Sequence, residues 1–184
     1  MTLPLFDDSH ARQATGAYAC SRAGWDMSTI RGLSLTRPWP WAFVNSTPDV
    51  QPKRIENRSW PPPRFIIGNY IALHAAKSWS EDDRDWLAHM TGLTIPRKFN
   101  SPHSEIFAVC RVVGFVTSSF DERVSVDQRM WFFGEFGWLL EEFVELVEPV
   151  PCTGGLGLWK FDERQAELHA LRISYQKSIQ RRAA

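Results

Sequence analysis

Short stretches of alternating apolar and polar residues recur along the chain, and this period of two is typical of β-strands. The most apolar of them, at 106–116, is rich in β-branched residues, and 138–147 is its expected partner. Four shorter stretches predict further strands at 30–35, 53–59, 69–75 and 158–161. The pattern therefore predicts six strands, two of them long.

A helical period of about 3.6 residues predicts three helices between these strands. Thr36 is expected to cap the first helix, whose first turn holds Pro38. Ser80 and Asp83 form a capping-box pattern at the start of the second, and 162–181 is the third. Strands that do not alternate with helices favour an α+β fold, here a small closed or half-closed β-barrel flanked by helices, over a doubly wound sheet.

The 184 residues suit one domain with additions at its ends. Residues 1–28 are small and polar without a clear period, which predicts a flexible tail that docks in part through Trp25. Residues 29–162 are expected to form the barrel domain, and 163–184 the C-terminal helix.

The formal net charge is zero, with 21 basic and 21 acidic residues, so the overall charge indicates no partner. Between residues 51 and 77, however, five cations stand against the single carboxylate of Glu56, a local charge of five minus one, or +4. One basic patch on a neutral chain is typical of a protein that binds a short anionic ligand rather than long duplex.

Three cysteines far apart, Cys20, Cys110 and Cys152, indicate no disulfide framework and fit a reducing compartment. No apolar run approaches the roughly 20 residues that cross a bilayer, and the N-terminus lacks the apolar core of a secretion signal. We therefore expect a cytoplasmic protein with no membrane partner. The histidines show no ligand spacing, so neither a metal site nor a cofactor is expected.

The most informative stretch of the chain runs from residue 33 to residue 60. It combines three tryptophans with four basic residues around Glu56: Trp39, Trp41 and Trp60, with Arg37, Lys53, Arg54 and Arg58. Aromatic rings interleaved with cations are what a protein needs to stack nucleobases and hold phosphates. The alternative is that the tryptophans are core residues and the charges a solvated rim.

The spacing Lys53-x-x-Glu56-x-Arg58 is the pattern that most strongly suggests a binding or reactive site. In an extended strand Glu56 and Arg58 share a face, whereas Lys53 joins them only if the chain turns near Pro52. A carboxylate between cations can read a base edge, accept a proton or simply form a structural ion pair with Arg58.

Two further features invite functional interpretation. Alternation places His74 on the opposite strand face from Ile71 and Leu73, with Lys77 three residues later. The imidazole could act as a base or donate to a phosphate; the alternative is a polar residue at the barrel mouth.

The run 153–157, with three glycines, lacks the Gly-Lys-Ser/Thr ending of a phosphate loop. It predicts a tight turn where two backbones approach.

Several motifs in order resemble the ASCH domain (activating signal cointegrator homology), a PUA-like barrel. They are Leu33-Ser-Leu-Thr-Arg-Pro-Trp39, Lys53-x-x-Glu56-x-Arg58, Ile71-Ala-Leu-His74-Ala-Ala-Lys77, Phe136-Gly137-Trp138-Leu139 and Gly157-Leu158-Trp159. The resemblance spans about residues 30–161. One departure is Gln51, which stands where the family pattern has glycine.

The resemblance implies a β-barrel with a cleft beside the first helix, in a superfamily that binds RNA or modified nucleobases. Some ASCH-like members hydrolyse instead, among them small bacterial acetylcytidine amidohydrolases and a ribonuclease. The amidohydrolases are similar at Lys53 but have a threonine where Glu56 stands, which weakens that particular reading.

We therefore predict a nucleic-acid-binding module for single-stranded RNA or an exposed or modified nucleobase. Its expected binding residues are Arg37, Trp39, Trp41, Lys53, Glu56, Arg58, His74 and Lys77. The first alternative is a hydrolase acting on RNA or a modified nucleoside, which requires Lys53, Glu56 and His74 to converge on one pocket. The second is a protein-interaction domain anchored by exposed tryptophans. The sequence indicates no oligomeric state.

Overall fold

The computed structural model describes residues 27–184. The helices and strands of this part follow one another as β1 (Arg31–Arg37), α1 (Trp39–Val44), β2 (Ile55–Arg58), β3 (Tyr70–Trp79), α2 (Glu81–Thr91), β4 (Glu105–Val116), β5 (Phe136–Pro151), β6 (Leu158–Trp159) and α3 (Gln165–Ala183). Short 3₁₀ turns lie at Met27–Thr29, Arg64–Ile66, Lys98–Asn100 and Val126–Trp131. Trp25 and most of the predicted tail lie outside the described residues.

The six strands of the described chain form one mixed sheet in the order β2-β5-β4-β3-β1-β6. Strands β1 and β3 are parallel, and every other neighbouring pair is antiparallel. The predicted α+β class is therefore confirmed. Strands β2 and β6 are the two edges, so the sheet is open in its hydrogen bonding rather than closed into a barrel.

The sheet curls strongly enough to bring distant strands together. Strand β2 is separated from β1 by three strands in the hydrogen-bonded order. Nevertheless, Arg58 Nη2 on β2 donates a hydrogen bond of 3.1 Å to the carbonyl of Ser34 on β1. The curl therefore produces a cleft between these two strands, beside α1.

The two faces of the sheet carry separate apolar clusters. Ile71 and Leu73 pack in one of them with Phe43 from α1. Ala72, whose side chain points the other way, packs in the second cluster with Leu171 of α3. This alternation confirms the predicted faces of β3, because successive side chains of a strand point to opposite sides.

Most predicted elements are present, but one helix cap is wrong. Thr36 belongs to β1, and α1 starts after Pro38 without a side-chain cap. Ser80 does cap α2, since its Oγ accepts a hydrogen bond of 3.1 Å from the Asp83 backbone N–H. The Asp83 carboxylate does not complete the capping box, because it accepts a 2.9 Å hydrogen bond from Trp39 Nε1 instead.

Met27, which falls within the predicted tail, is buried in the cluster that includes α3. Within residues 27–184, no helix is long and apolar enough to cross a membrane. In the same range, Cys110 and Cys152 are buried free thiols, and no three histidine, cysteine or carboxylate side chains gather as a metal site would require.

Candidate nucleic-acid interface

Glu56 joins two cations at the bottom of the cleft. Its Oε2 lies 2.6 Å from Lys53 Nζ, and its Oε1 lies 3.0 Å from Arg58 Nη2. The side chains of Lys53 and Glu56 are 2% and 8% exposed, whereas that of Arg58 is 21% exposed. The predicted trio therefore comes together, and Arg58 is its most accessible member.

Lys53 reaches Glu56 because β2 begins only at Ile55, so strand alternation does not yet apply to it. The backbone N–H of Lys53 donates a 2.8 Å bond to the carbonyl of Ala42, which fixes this segment against α1. The φ angle of Gln51 is not positive, so the backbone at this position does not require a glycine.

The Lys53 ammonium lies in aromatic surroundings, 4.6 Å from the centre of the Phe43 ring and 5.7 Å from that of Trp39. Burial lowers the pKa of Lys53, and the neighbouring Glu56 carboxylate opposes that shift. A buried and paired ammonium is not available to a phosphate in solution. In this structure Lys53 supports Glu56 rather than offering a free charge.

A pocket of about 230 Å³ lies above this trio. Trp39 and Phe133 form its aromatic wall, with ring centroids 5.1 Å apart. Phe133 is 50% exposed, which leaves part of its ring free to contact a ligand. A small cavity with aromatic walls and a few charged groups is typical of a site for a flat polar ligand.

Phe133 was missed in the sequence analysis, and Asn57 explains its position. Asn57 Oδ1 accepts hydrogen bonds from the backbone N–H groups of Phe133 and Gly134, at 3.0 and 3.2 Å. Its Nδ2 donates a 2.8 Å bond to the Trp131 carbonyl. Asn57 thus holds the loop that carries Phe133. The only signal in the sequence was the run of aromatics at 131–133.

The small pocket adjoins a larger cleft of about 780 Å³, which shares Ser34, Thr36 and Arg58 with it. Lys77 and His74 line this larger cleft, together with the glycine-rich loop 153–157. Arg58 therefore stands at the junction of the two. Lys77 is exposed, so its charge is accessible to a ligand in the cleft.

His74 is 3% exposed, and its Nε2 lies 2.9 Å from the carbonyl oxygen of Cys152. Because a carbonyl only accepts, Nε2 carries the proton of the neutral ring, and Nδ1 is a buried acceptor without a partner in the described chain. Burial lowers the pKa of His74, which favours the neutral form.

The glycine-rich loop packs directly against this imidazole. A Cβ on Gly154 would lie 2.5 Å from both the Cε1 of His74 and the Oγ of Ser34. Gly157 has a φ of +57°, a left-handed backbone conformation that glycine adopts without strain. The loop therefore packs closely against the side chains of His74 and Ser34, and not against the second backbone that the sequence predicted.

Two predicted binding residues lie outside the cleft. The guanidinium of Arg37 is buried, and its Nη1 and Nη2 donate within the fold to the carbonyls of Lys77, Ser101 and Lys98, at 2.7, 2.9 and 3.1 Å. Trp41 lines a separate pocket of about 260 Å³ on another side of α1. Neither placement supports contact with a ligand bound beside Glu56.

The residues proposed for hydrolysis do not share one pocket. Lys53 and Glu56 line the small pocket, whereas His74 lines the larger cleft beyond Arg58. A three-residue mechanism thus lacks its first geometric requirement. Comparison with protein families finds no matching family, and comparison with curated proteins finds no matching relative.

Proposed function

We propose that this chain is a nucleic-acid-binding module of the ASCH type that takes an exposed nucleobase of single-stranded RNA into the small pocket. The base would lie against Trp39 and Phe133. The sugar-phosphate chain would leave along the larger cleft, past Arg58 and Lys77. A modified base or free nucleoside that fills the same pocket belongs to the same proposal.

The observation that carries this proposal is the junction of the two cavities at Arg58. A single strand needs an enclosed aromatic site for a base and an open cationic path for its backbone, side by side. The small pocket has the aromatic wall, and the larger cleft has the accessible charges. Arg58 borders both, so it can contact the phosphate that follows the bound base.

The proposal includes the PUA-like barrel implied by the resemblance. Its support is the curl of the sheet, which places Arg58 of edge strand β2 within hydrogen-bond distance of the Ser34 carbonyl on β1. Side chains rather than backbone pairs would then close the barrel at this seam. The seam is also where the cleft lies, as expected for a ligand site between two strands that do not pair.

The roles of the charged residues follow from their burial. Glu56 uses one lone pair of each oxygen on Lys53 and Arg58, and an ionised carboxylate has about four acceptor sites. The remaining sites can accept hydrogen bonds from base amino or imino groups. With one or two stacked rings and two accessible cations, we expect weak binding that depends on salt.

A binding screen with ring-truncation variants tests the proposal. Unmodified and modified ribonucleosides and short single-stranded oligonucleotides would be titrated into wild type, Phe133→Ala and Phe65→Ala. Phe65 is the matched control, because it is 61% exposed and lines neither cavity. Loss of one stacked ring should weaken binding by about 1–3 kcal/mol in Phe133→Ala alone. Equal affinities in all three proteins would contradict the proposal.

A hydrolase remains a second candidate because of one observation, the buried Lys53 with its lowered pKa beside Glu56. A perturbed ionisable group in a cleft is typical of catalytic sites, although structural ion pairs produce such shifts as well. Turnover of the screened nucleosides and oligonucleotides would be followed in the same samples. A rate that falls by about two to four powers of ten in Glu56→Gln would favour the hydrolase.

A further inference from the structure

A second pocket with basic walls lies where the end of α3 meets β5 and the segment before β2. It encloses about 560 Å³, and Arg54, Arg181 and Arg182 line it. It shares no lining residue with the small pocket or the larger cleft described above. A ligand here would therefore contact residues other than those of the base site.

Two of these arginines are held in place by backbone carbonyls. Arg54 Nη1 donates to the carbonyls of Phe43 and Lys53 at 2.9 and 2.7 Å, and its guanidinium carbon lies 4.2 Å from the centre of the Phe143 ring. Arg182 Nη1 donates a 2.7 Å bond to the Phe143 carbonyl. In both side chains, Nη2 makes no hydrogen bond within residues 27–184, so each retains free donors in a fixed orientation.

The cluster lacks an internal counterion. None of the three arginines forms an ion pair with a carboxylate of the described chain. Glu145 is the one acidic residue in the lining, so the pocket keeps a net charge of about three minus one, or +2. Burial, and then the charge of Arg182, lowers the pKa of Arg54.

A favourable interaction with the helix dipole accounts for cations in the last turn of α3, but it does not account for Arg54. Arg54 belongs to the segment before β2, and it is held against Phe143 beside Arg182 despite their like charges. Like charges held together without a carboxylate are stabilised when an anion binds between them. Planar guanidinium groups match the oxygens of phosphate in particular.

We propose that Arg54, Arg181 and Arg182 form a second site, which binds a phosphate group. The phosphate belongs either to the backbone of an RNA strand or to a free phosphorylated small molecule, and the recognition chemistry is the same for both. Arg54 and Arg182 contribute oriented donors. Arg181, which makes no hydrogen bond or ion pair within the described chain, contributes an exposed charge.

Titration with inorganic phosphate at constant ionic strength tests the site, with chloride as the control anion. The arginine Nε–Hε signals in nuclear magnetic resonance spectra report binding at each guanidinium. The proteins are wild type, Arg182→Gln, and Arg172→Gln as a control on an exposed position of the same helix. A second arm replaces phosphate with a short single-stranded oligouridylate.

We expect phosphate, but not chloride, to shift the Arg54 and Arg182 signals to saturation in wild type and in Arg172→Gln. Arg182→Gln should weaken phosphate binding about tenfold, because one charge-assisted contact is lost. A similar weakening of oligouridylate binding assigns the phosphate to an RNA backbone, and its absence assigns it to a small molecule. Shifts that chloride reproduces, or equal affinity in both variants, overturn the proposal. The titration with inorganic phosphate does not involve Phe133, so this site and base binding are judged separately.

Discussion

Replacing Glu56 with glutamine tests whether the ion pair of Lys53 and Glu56 beneath the cleft is shielded from solvent. The amide keeps the size of the carboxylate and much of its hydrogen-bonding capacity, but it carries no charge. Lys53, with a side chain only 2% exposed, would then lose its closest counterion. Breaking a buried pair by removing one partner destabilises proteins by about 3–5 kcal/mol.

Deprotonation of Lys53 sets an upper limit to the stability that Glu56→Gln can lose. A neutral amine can still hydrogen-bond to the amide that replaces the Glu56 carboxylate, and burial already lowers the pKa of Lys53. Removing the proton from a lysine of ordinary pKa, about 10.4, costs about 4.6 kcal/mol at pH 7, at about 1.36 kcal/mol per pH unit. We therefore expect Glu56→Gln to lower the free energy of unfolding by about 3–4 kcal/mol at pH 7.

The same reasoning gives the loss a dependence on pH. A group whose folded pKa is lowered gives stability at pH values above its unfolded pKa, and that stability is lost as pH falls. The destabilisation of Glu56→Gln should accordingly shrink as pH rises, by up to about 1.4 kcal/mol per unit. Urea unfolding at several values between about pH 7 and 9 measures this. The control is Glu163→Gln, since Glu163 is exposed and makes no ion pair within the described chain.

A loss below about 1 kcal/mol that does not change with pH would refute this reasoning, because that is the size expected for an exposed pair. It would mean that solvent reaches Lys53. In that case Lys53 would be a free cation of the cleft, as the sequence alone suggested.

Three further predictions concern the cleft. Arg58→Ala should weaken binding of single-stranded RNA and reduce the slope of its salt dependence by about one counterion, as measured by titration at several salt concentrations. Wild type should lose stability as pH falls below about 6.5, because the imidazole binds a proton more readily in the unfolded chain than in the buried site. His74→Gln should not show this loss. Urea unfolding would measure this, with the exposed His89→Gln as control. Gly154→Ala should lower both Tm and RNA affinity, because its Cβ would collide with the His74 ring and displace the loop.

Each of these predictions has a contradicting result. An unchanged salt slope in Arg58→Ala, together with lower stability, would make Arg58 a purely structural partner of Glu56. Equal pH dependence in His74→Gln and wild type would show that His74 is accessible to water. A Gly154→Ala protein with unchanged Tm and affinity would show that the loop is free to move away.

The sequence predicted the Glu56 cluster in part, for a definable reason. The alternation rule placed Glu56 and Arg58 together, because both belong to one short strand. It left Lys53 open, because the position of Lys53 depends on a backbone hydrogen bond to Ala42 in α1. That contact is tertiary, and no local pattern reports it.

The residues that the sequence misjudged are fixed by partners far away in the chain. Arg37 looks like a free cation, but its acceptors come from the end of β3 and from the turn at 98–101. Phe133 looks like core, yet Asn57, 76 residues before it, holds its backbone at the mouth of the pocket. Composition can identify a basic and aromatic region, but only the packed fold decides which side chains remain available.

The central claim is that a nucleobase lies against the aromatic wall formed by Trp39 and Phe133, and contacts between protons of ligand and protein test it most directly. Isotope-filtered nuclear Overhauser spectra would be recorded on the labelled protein with the tightest unlabelled nucleoside or oligonucleotide from the screen. The account predicts contacts from base protons to the rings of Phe133 and Trp39. Base contacts to Trp41 in their place, with none to Phe133, would contradict it.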